Sequence, residues 1–217
     1  MFRLSNGDVV DDKAEDQNNG LEPQGSVDRR VRADAQRNID ALLQSALAVF
    51  ATSGVDAPVR EIAEKAGVGI GTLYRHFPQR ADLVAAAFRH EMDSCADAAP
   101  ILAAEFAPGE ALARWMQRYA AFVATKRGLA TALHSGNPAF DGLPAYFQAR
   151  LLPAFQTLLD SAIAAGEVRA DVDANELLNA VSSLSRQTPG DDPDTARRMV
   201  ALLVDGLRYR ARPEGNK

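Results

Sequence analysis

Apolar residues recur at intervals of three and four along most of this chain, and no stretch alternates apolar with polar for long. That period puts them on one face of successive α-helices and argues against strands. The first stripe, Ile39, Leu42, Leu43, Ala46, Val49 and Phe50, predicts a helix over about 33–53, ended by Gly54. Further stripes predict helices over about 79–92 (Leu83, Val84, Ala87, Phe88), 109–125 (Leu112, Trp115, Met116, Tyr119, Phe122, Val123) and 144–165 (Tyr146, Phe147, Leu151, Phe155, Leu158, Leu159, Ile163). Two more run over about 174–187 and 194–210, the first preceded by Asp171 and Asp173, which suit an N-cap. Pro100, Pro108 and Gly109 read as connectors, residues 126–134 as a short helix closed by Ser135-Gly136-Asn137-Pro138, and Gly166 as a stop. Alanine and leucine dominate while β-branched residues are thin, so the fold class is all-α.

One stretch carries a finer pattern. In PVREIAEKAGVGIGTLYRHF, residues 58–77, Ile62, Ala63 and Ala66 fall at helical spacing beside Arg60, Glu61, Glu64 and Lys65. Gly67 can adopt positive φ without steric cost and so stops a helix abruptly. A second short helix begins near Ile70, turns Leu73 inward with Phe77 beyond it, and throws Thr72, Tyr74, Arg75 and His76 outward. Pro78 then prevents continuation. A small residue at Ala63, a glycine four places on, and apolar Ile62, Val68 and Leu73 make a helix-turn-helix whose second helix presents a polar face to DNA.

Taken with the preceding AVFATSG and the following PQRADLV, residues of about 33 to 92 resemble the DNA-binding domain of the TetR family of bacterial transcriptional regulators. TLYRHF followed by a basic residue three positions on, Arg80, is specific to that family. The rest of the chain resembles it only in helical texture. The resemblance implies a homeodomain-like three-helix head over 29–92, then an all-helical effector-binding and dimerisation domain over 93–212. It also implies a homodimer through the last two helices, with phosphate contacts from Tyr74, His76 and Arg80. Read from the chain alone, His76 remains open between a DNA contact and a surface histidine packed on helix four. The apolar stripes of the last two helices likewise remain open between pairing with a second copy and burial within the chain.

Charge supports a DNA-binding head once the net −5 is divided. Residues 1–28 carry seven acids against Arg3 and Lys13, whereas residues 29–80 carry eight bases against five acids. The basic portion contains the reading motif, which favours phosphate binding by one lobe. The acidic segment lacks periodicity and reads as a disordered arm, either an inert extension or a competitor for the basic surface. Arg29, Arg30 and Arg32, where the charge flips, suit either a phosphate-seeking arm or a solvated helix end.

Side-chain chemistry assigns roles along the reading helix. Arg75 can donate to guanine O6 and N7, and Thr72 offers a hydroxyl and a methyl. Gly69, Ile70 and Gly71 let the backbone approach the duplex but weaken hydrogen-bond readout, and Ile70 is placed to touch a thymine methyl. Arg60 joins this DNA-facing set. An effector of hydrophobic or amphipathic character is expected among the central helices, where Trp115, Tyr119, Phe122, His134 and Phe155 either line a cavity or fill the core.

Enzyme and metal chemistry find no support. His76, His90 and His134 are scattered, His90 and Cys95 are five apart and off one helix face, and GVGIG lies between helices rather than after a strand. A single cysteine excludes an intrachain disulfide framework, no apolar run reaches the ~20 residues that span a bilayer, and the N-terminus lacks a leader pattern. The expectation is a cytoplasmic repressor, without cofactor, that binds palindromic operator DNA and is released by its effector. A helical scaffold, or a DNA-binding protein without an effector, is the alternative.

Overall fold

The computed structural model describes residues 24–124, 136–185, 192 and 194–209, with side chains from Ala35 onward. The chain divides into two compact units, residues 1–36 and 37–217. The described part of the first is helical backbone belonging to α1 (Gln24–Ser53). Helix α1 thus starts well before the predicted position near 33. Residues 26–38 hold neither glycine nor proline and include four arginines and two alanines, which sustain a helix without an apolar stripe to announce it.

The second unit continues with α2 (Val59–Ala66), α3 (Ile70–His76), α4 (Arg80–Glu105) and α5 (Pro108–Ala124). After a 3-10 turn at Pro138–Phe140 come α6 (Leu143–Ala164), α7 (Ala174–Leu184) and α8 (Thr195–Tyr209). No strand occurs among the described residues, and no helix among them is long and apolar enough to cross a membrane. The short helix expected over 126–134 lies outside the described residues.

Helix α4 overturns the expectation of a break near Pro100. It runs unbroken to Glu105, and the boundary placed at 92–93 falls inside it. Proline in a helix removes one hydrogen bond and crowds the carbonyl four residues back. Here Cys95, Ala96 and Ala99 are buried in the turn that precedes Pro100, while Pro100 itself faces outward. Packing of this turn against α5 and α6 outweighs the loss. Pro153 is accommodated inside α6 in the same outward orientation.

One core runs through the unit. Leu42, Ala46, Phe50, Ile62, Ala63, Leu73 and Leu83 form its head end, and Trp115, Tyr119, Phe155, Leu159 and Val200 its far end. Helix α4 serves both, packing on α5 and α6, while α5 also meets α7 and α8. Caps fix the ends: Asp173 Oδ1 accepts from Glu176 N at 3.0 Å, whereas Asp171 pairs with Arg169 instead. Glu167 accepts from Gly109 N at 2.8 Å, tying the start of α5 to the end of α6.

Candidate nucleic-acid interface

Helix α2 buries Ile62 and Ala63 and leaves its charged residues outside. Gly67 ends it at φ 68°, with Gly67 N donating to Glu64 O at 3.1 Å and Val68 N to Ala63 O at 3.0 Å. That pair of bonds satisfies the terminal carbonyls and needs a left-handed residue, which glycine supplies. Gly69 then starts α3 at φ −67°, its carbonyl accepting from Thr72 N and Leu73 N. The GVGIG stretch is therefore a helix stop followed by a helix start, as its position between helices suggests.

Within α3 only Leu73 is buried, and Phe77, just past the helix, is the second anchor. Two inward anchors on so short a helix leave the remainder proud of the head. Ile70 is 43% exposed and Tyr74 48%; Gly71, Arg75 and His76 are also exposed, and Thr72 is half-buried. The ring of His76 tilts toward Phe77 with centroids 6.3 Å apart. Arg75 enters no hydrogen bond or ion pair among the described residues. Arg60 meets Glu64 only at 4.0 Å on an open surface, a pairing too weak to withhold its guanidinium from a phosphate.

Arg80 is placed differently from the rest. Its Nη1 donates to Val55 O at 2.7 Å and to Ala57 O at 2.6 Å. The side chain is half-buried and clamps the loop between α1 and α2 onto the first turn of α4. Its inward nitrogen thus holds the head together, where the family resemblance implied an outward phosphate contact.

Four of the five residues named for an effector are core. Trp115 is fully buried and stacks on Tyr119 and Phe155 at 5.6 and 5.3 Å between centroids, and Tyr119 meets Phe122 at 6.0 Å. Trp115 Nε1 donates to Cys95 O at 2.9 Å, and Tyr119 Oη lies 2.8 Å from Ser182 Oγ. Their polar atoms are satisfied and their faces covered, so they fill space instead of lining it. His134 lies outside the described residues. An open groove of about 690 Å³ runs instead between α4 and α5, past His90, Ser94, Ile101 and Arg118. Beside it is a cluster that the sequence reading missed. Asp93 accepts from Tyr146 Oη at 2.7 Å and from Arg150 Nε at 2.6 Å, and Asp97 from Arg150 Nη2 at 2.8 Å. The two carboxylates hold the guanidinium still more firmly protonated, and burial first, then the Asp93 carboxylate, raises the Tyr146 phenol above its ordinary value. The faint signal was spacing: Asp93 and Asp97 are four apart on α4, as are Tyr146 and Arg150 on α6.

Known proteins match both ends of this architecture. The family model for bacterial regulatory proteins, tetR family, covers residues 42–87, and that for the SbtR-like transcriptional regulator C-terminal domain covers 107–209. A TetR transcriptional regulator from Streptomyces coelicolor is 38% identical, with TM-score 0.66 over 78% of this chain and 98% of that one. The chain belongs to the TetR family. A TetR transcription regulatory protein from Mycobacterium vanbaalenii is similarly close, 38% identical with TM-score 0.64 over 82% of this chain and 99% of that one. An HTH-type transcriptional regulator from Staphylococcus aureus is 34% identical over 64 residues, 29% of this chain and 35% of that protein. The chain thus spans about a third of the length of the curated relatives it matches. This TetR-family member is a transcriptional regulator, not an enzyme.

Proposed function

We propose that the protein is a cytoplasmic repressor that binds palindromic operator DNA as a homodimer and releases it when a small hydrophobic or amphipathic effector binds. The observation that carries the DNA half is α3 itself, a short helix held by Leu73 and Phe77 with Thr72, Tyr74, Arg75 and His76 turned away from the core. Thr72 and Arg75 read bases, while Tyr74, His76 and Arg60 contact phosphates, and Gly69, Ile70 and Gly71 form the surface nearest the duplex. Arg80 contributes by holding the head rigid.

Two copies are required because successive major grooves on one face of DNA lie about 34–36 Å apart. The outward residues Leu184, Leu202 and Tyr209 on α7 and α8 supply the apolar surface for that pairing. Helix α4 provides the coupling, since it begins in the head and is tied to α6 through Asp93, Asp97, Tyr146 and Arg150. An effector that shifts α6 drags α4 and changes the spacing of the heads, needing a preference of only about 1–3 kcal/mol for the released state. A DNA-binding regulator without an effector is the second reading, favoured by the packed state of Trp115, Tyr119, Phe122 and Phe155.

Titration of a palindromic upstream duplex tests the proposal. Wild type should give a salt-sensitive, sequence-selective shift, and Arg75→Ala should lose about 1–3 kcal/mol and relax selectivity at one base pair. A chain that binds no duplex selectively would be a scaffold. Operator affinity unchanged by any amphipathic compound would leave the effector-free regulator.

A further inference from the structure

We infer that Ile70 reads a thymine 5-methyl group in each operator half-site, and that Gly69 and Gly71 leave the backbone bare beside it so that the groove floor comes within reach. The inference rests on the operator-binding reading above and names what the reading helix recognises. Three observations lead to it. First, Ile70 is 43% exposed on a helix whose inward anchor is Leu73, so the head's own packing leaves much of this aliphatic side chain uncovered. Second, Gly71 lies within α3, where glycine is the least favourable residue apart from proline. Third, nothing among the described residues requires glycine at either position.

The contrast with other glycines makes the third point. Gly67 needs its left-handed backbone at φ 68°, and a Cβ on Gly109 would come within 2.5 Å of Glu167 Oε2. Gly69 sits at φ −67°, and Gly71 is not among the positive-φ residues. A Cβ on Gly71 would meet nothing within 4 Å, and one on Gly69 only Thr72 Oγ1 at 4.0 Å. Neither conformation nor internal space explains them, so the clearance serves a body outside the chain. Ile70, between them, has no donor or acceptor on its side chain, and the one apolar group on the major-groove edges of the bases is the thymine methyl. An aliphatic side chain flanked by two bare backbone positions fits that group.

The test uses duplexes selected by the wild-type protein from a pool with a randomised core, each half-site thymine then being replaced singly by deoxyuridine, which lacks only the methyl. Wild type should bind one such duplex about fourfold more weakly, the ~0.8 kcal/mol of one buried methyl-sized group expressed as an affinity ratio. Ile70→Ala should be indifferent to that replacement while keeping its response to the other positions. Gly71→Ala should show an equal or higher melting temperature yet bind about tenfold or more weakly, a combination that loss of folding cannot produce. Wild type indifferent to every deoxyuridine, Ile70→Ala retaining the sensitivity, or Gly71→Ala binding as tightly as wild type would each overturn the inference. If wild type selects no duplex at all, the operator-binding reading fails first, and this inference with it.

Discussion

Arg80 and Arg75 are five residues apart and carry the same group, yet their surroundings divide their work. Arg75 projects from α3 with no partner among the described residues, whereas Arg80 directs Nη1 to two loop carbonyls at 2.6 and 2.7 Å. Hydrogen bonds from a charged donor are worth about 1.5–3 kcal/mol when their removal leaves the acceptors unpaired. Arg80→Ala should therefore lower stability by about that amount, seen as an earlier denaturant midpoint. Its salt dependence of operator binding should stay near wild type, since a lost phosphate contact would reduce the slope by about one. The outward face of α3 was legible in the sequence because Leu73, Gly67 and Pro78 fix helix phase and length locally. Arg80's inward turn was not, because its acceptors belong to Val55 and Ala57, more than twenty positions away.

Among the elements, α5 and α6 are joined by an aromatic cluster. Trp115 on α5 stacks with Phe155 on α6 and with Tyr119 one turn along its own helix, and the Tyr119 hydroxyl reaches Ser182 on α7. Burial pushes the Tyr119 phenol from 10.0 up to about 12, the hydrogen bond shared with Ser182 opposing it. A raised folded-state value means the unfolded chain ionises first. The contribution is thus complete below pH ~10 and lost as pH climbs toward ~12, amounting to roughly 2–3 kcal/mol at about 1.4 kcal/mol per unit. Tyr119→Phe should flatten that alkaline decline relative to wild type in chemical denaturation between pH 9.5 and 12. Periodicity revealed these stripes as apolar faces, but an apolar stripe reads the same whether it lines a cavity or closes one. Only the approach of α6 to α5 brings Phe155 to 5.3 Å from Trp115 and Phe147 to 6.1 Å from Tyr119 and fills the space between them.

For the molecule as a whole, the outer side of the last two helices is the surface proposed for pairing. Leu202 is 62% exposed on α8, with Leu184 on α7 and Tyr209 also turned outward. Charging that surface should not disturb the chain's own core. Leu202→Asp should keep its melting temperature within a few degrees while shifting the sedimenting species from dimer to monomer and weakening operator binding steeply. An unchanged dimer would move the pairing surface elsewhere.

The amino-acid order by itself determined what is local: helical periods, the stop at Gly67, the length and polar face of α3, and the basic character of the head against the acidic first segment. These depend on φ preferences and on neighbours three or four residues away, and all are present in any short window. Tertiary structure decided what joins distant windows. It carried α4 through Pro100, directed Arg80 inward, closed the aromatic cluster, and joined Asp93 to Tyr146 and Arg150 across α4 and α6. Each of these depends on which helix faces which and at what distance, and helices separated by fifty residues leave no such record in their own spacing.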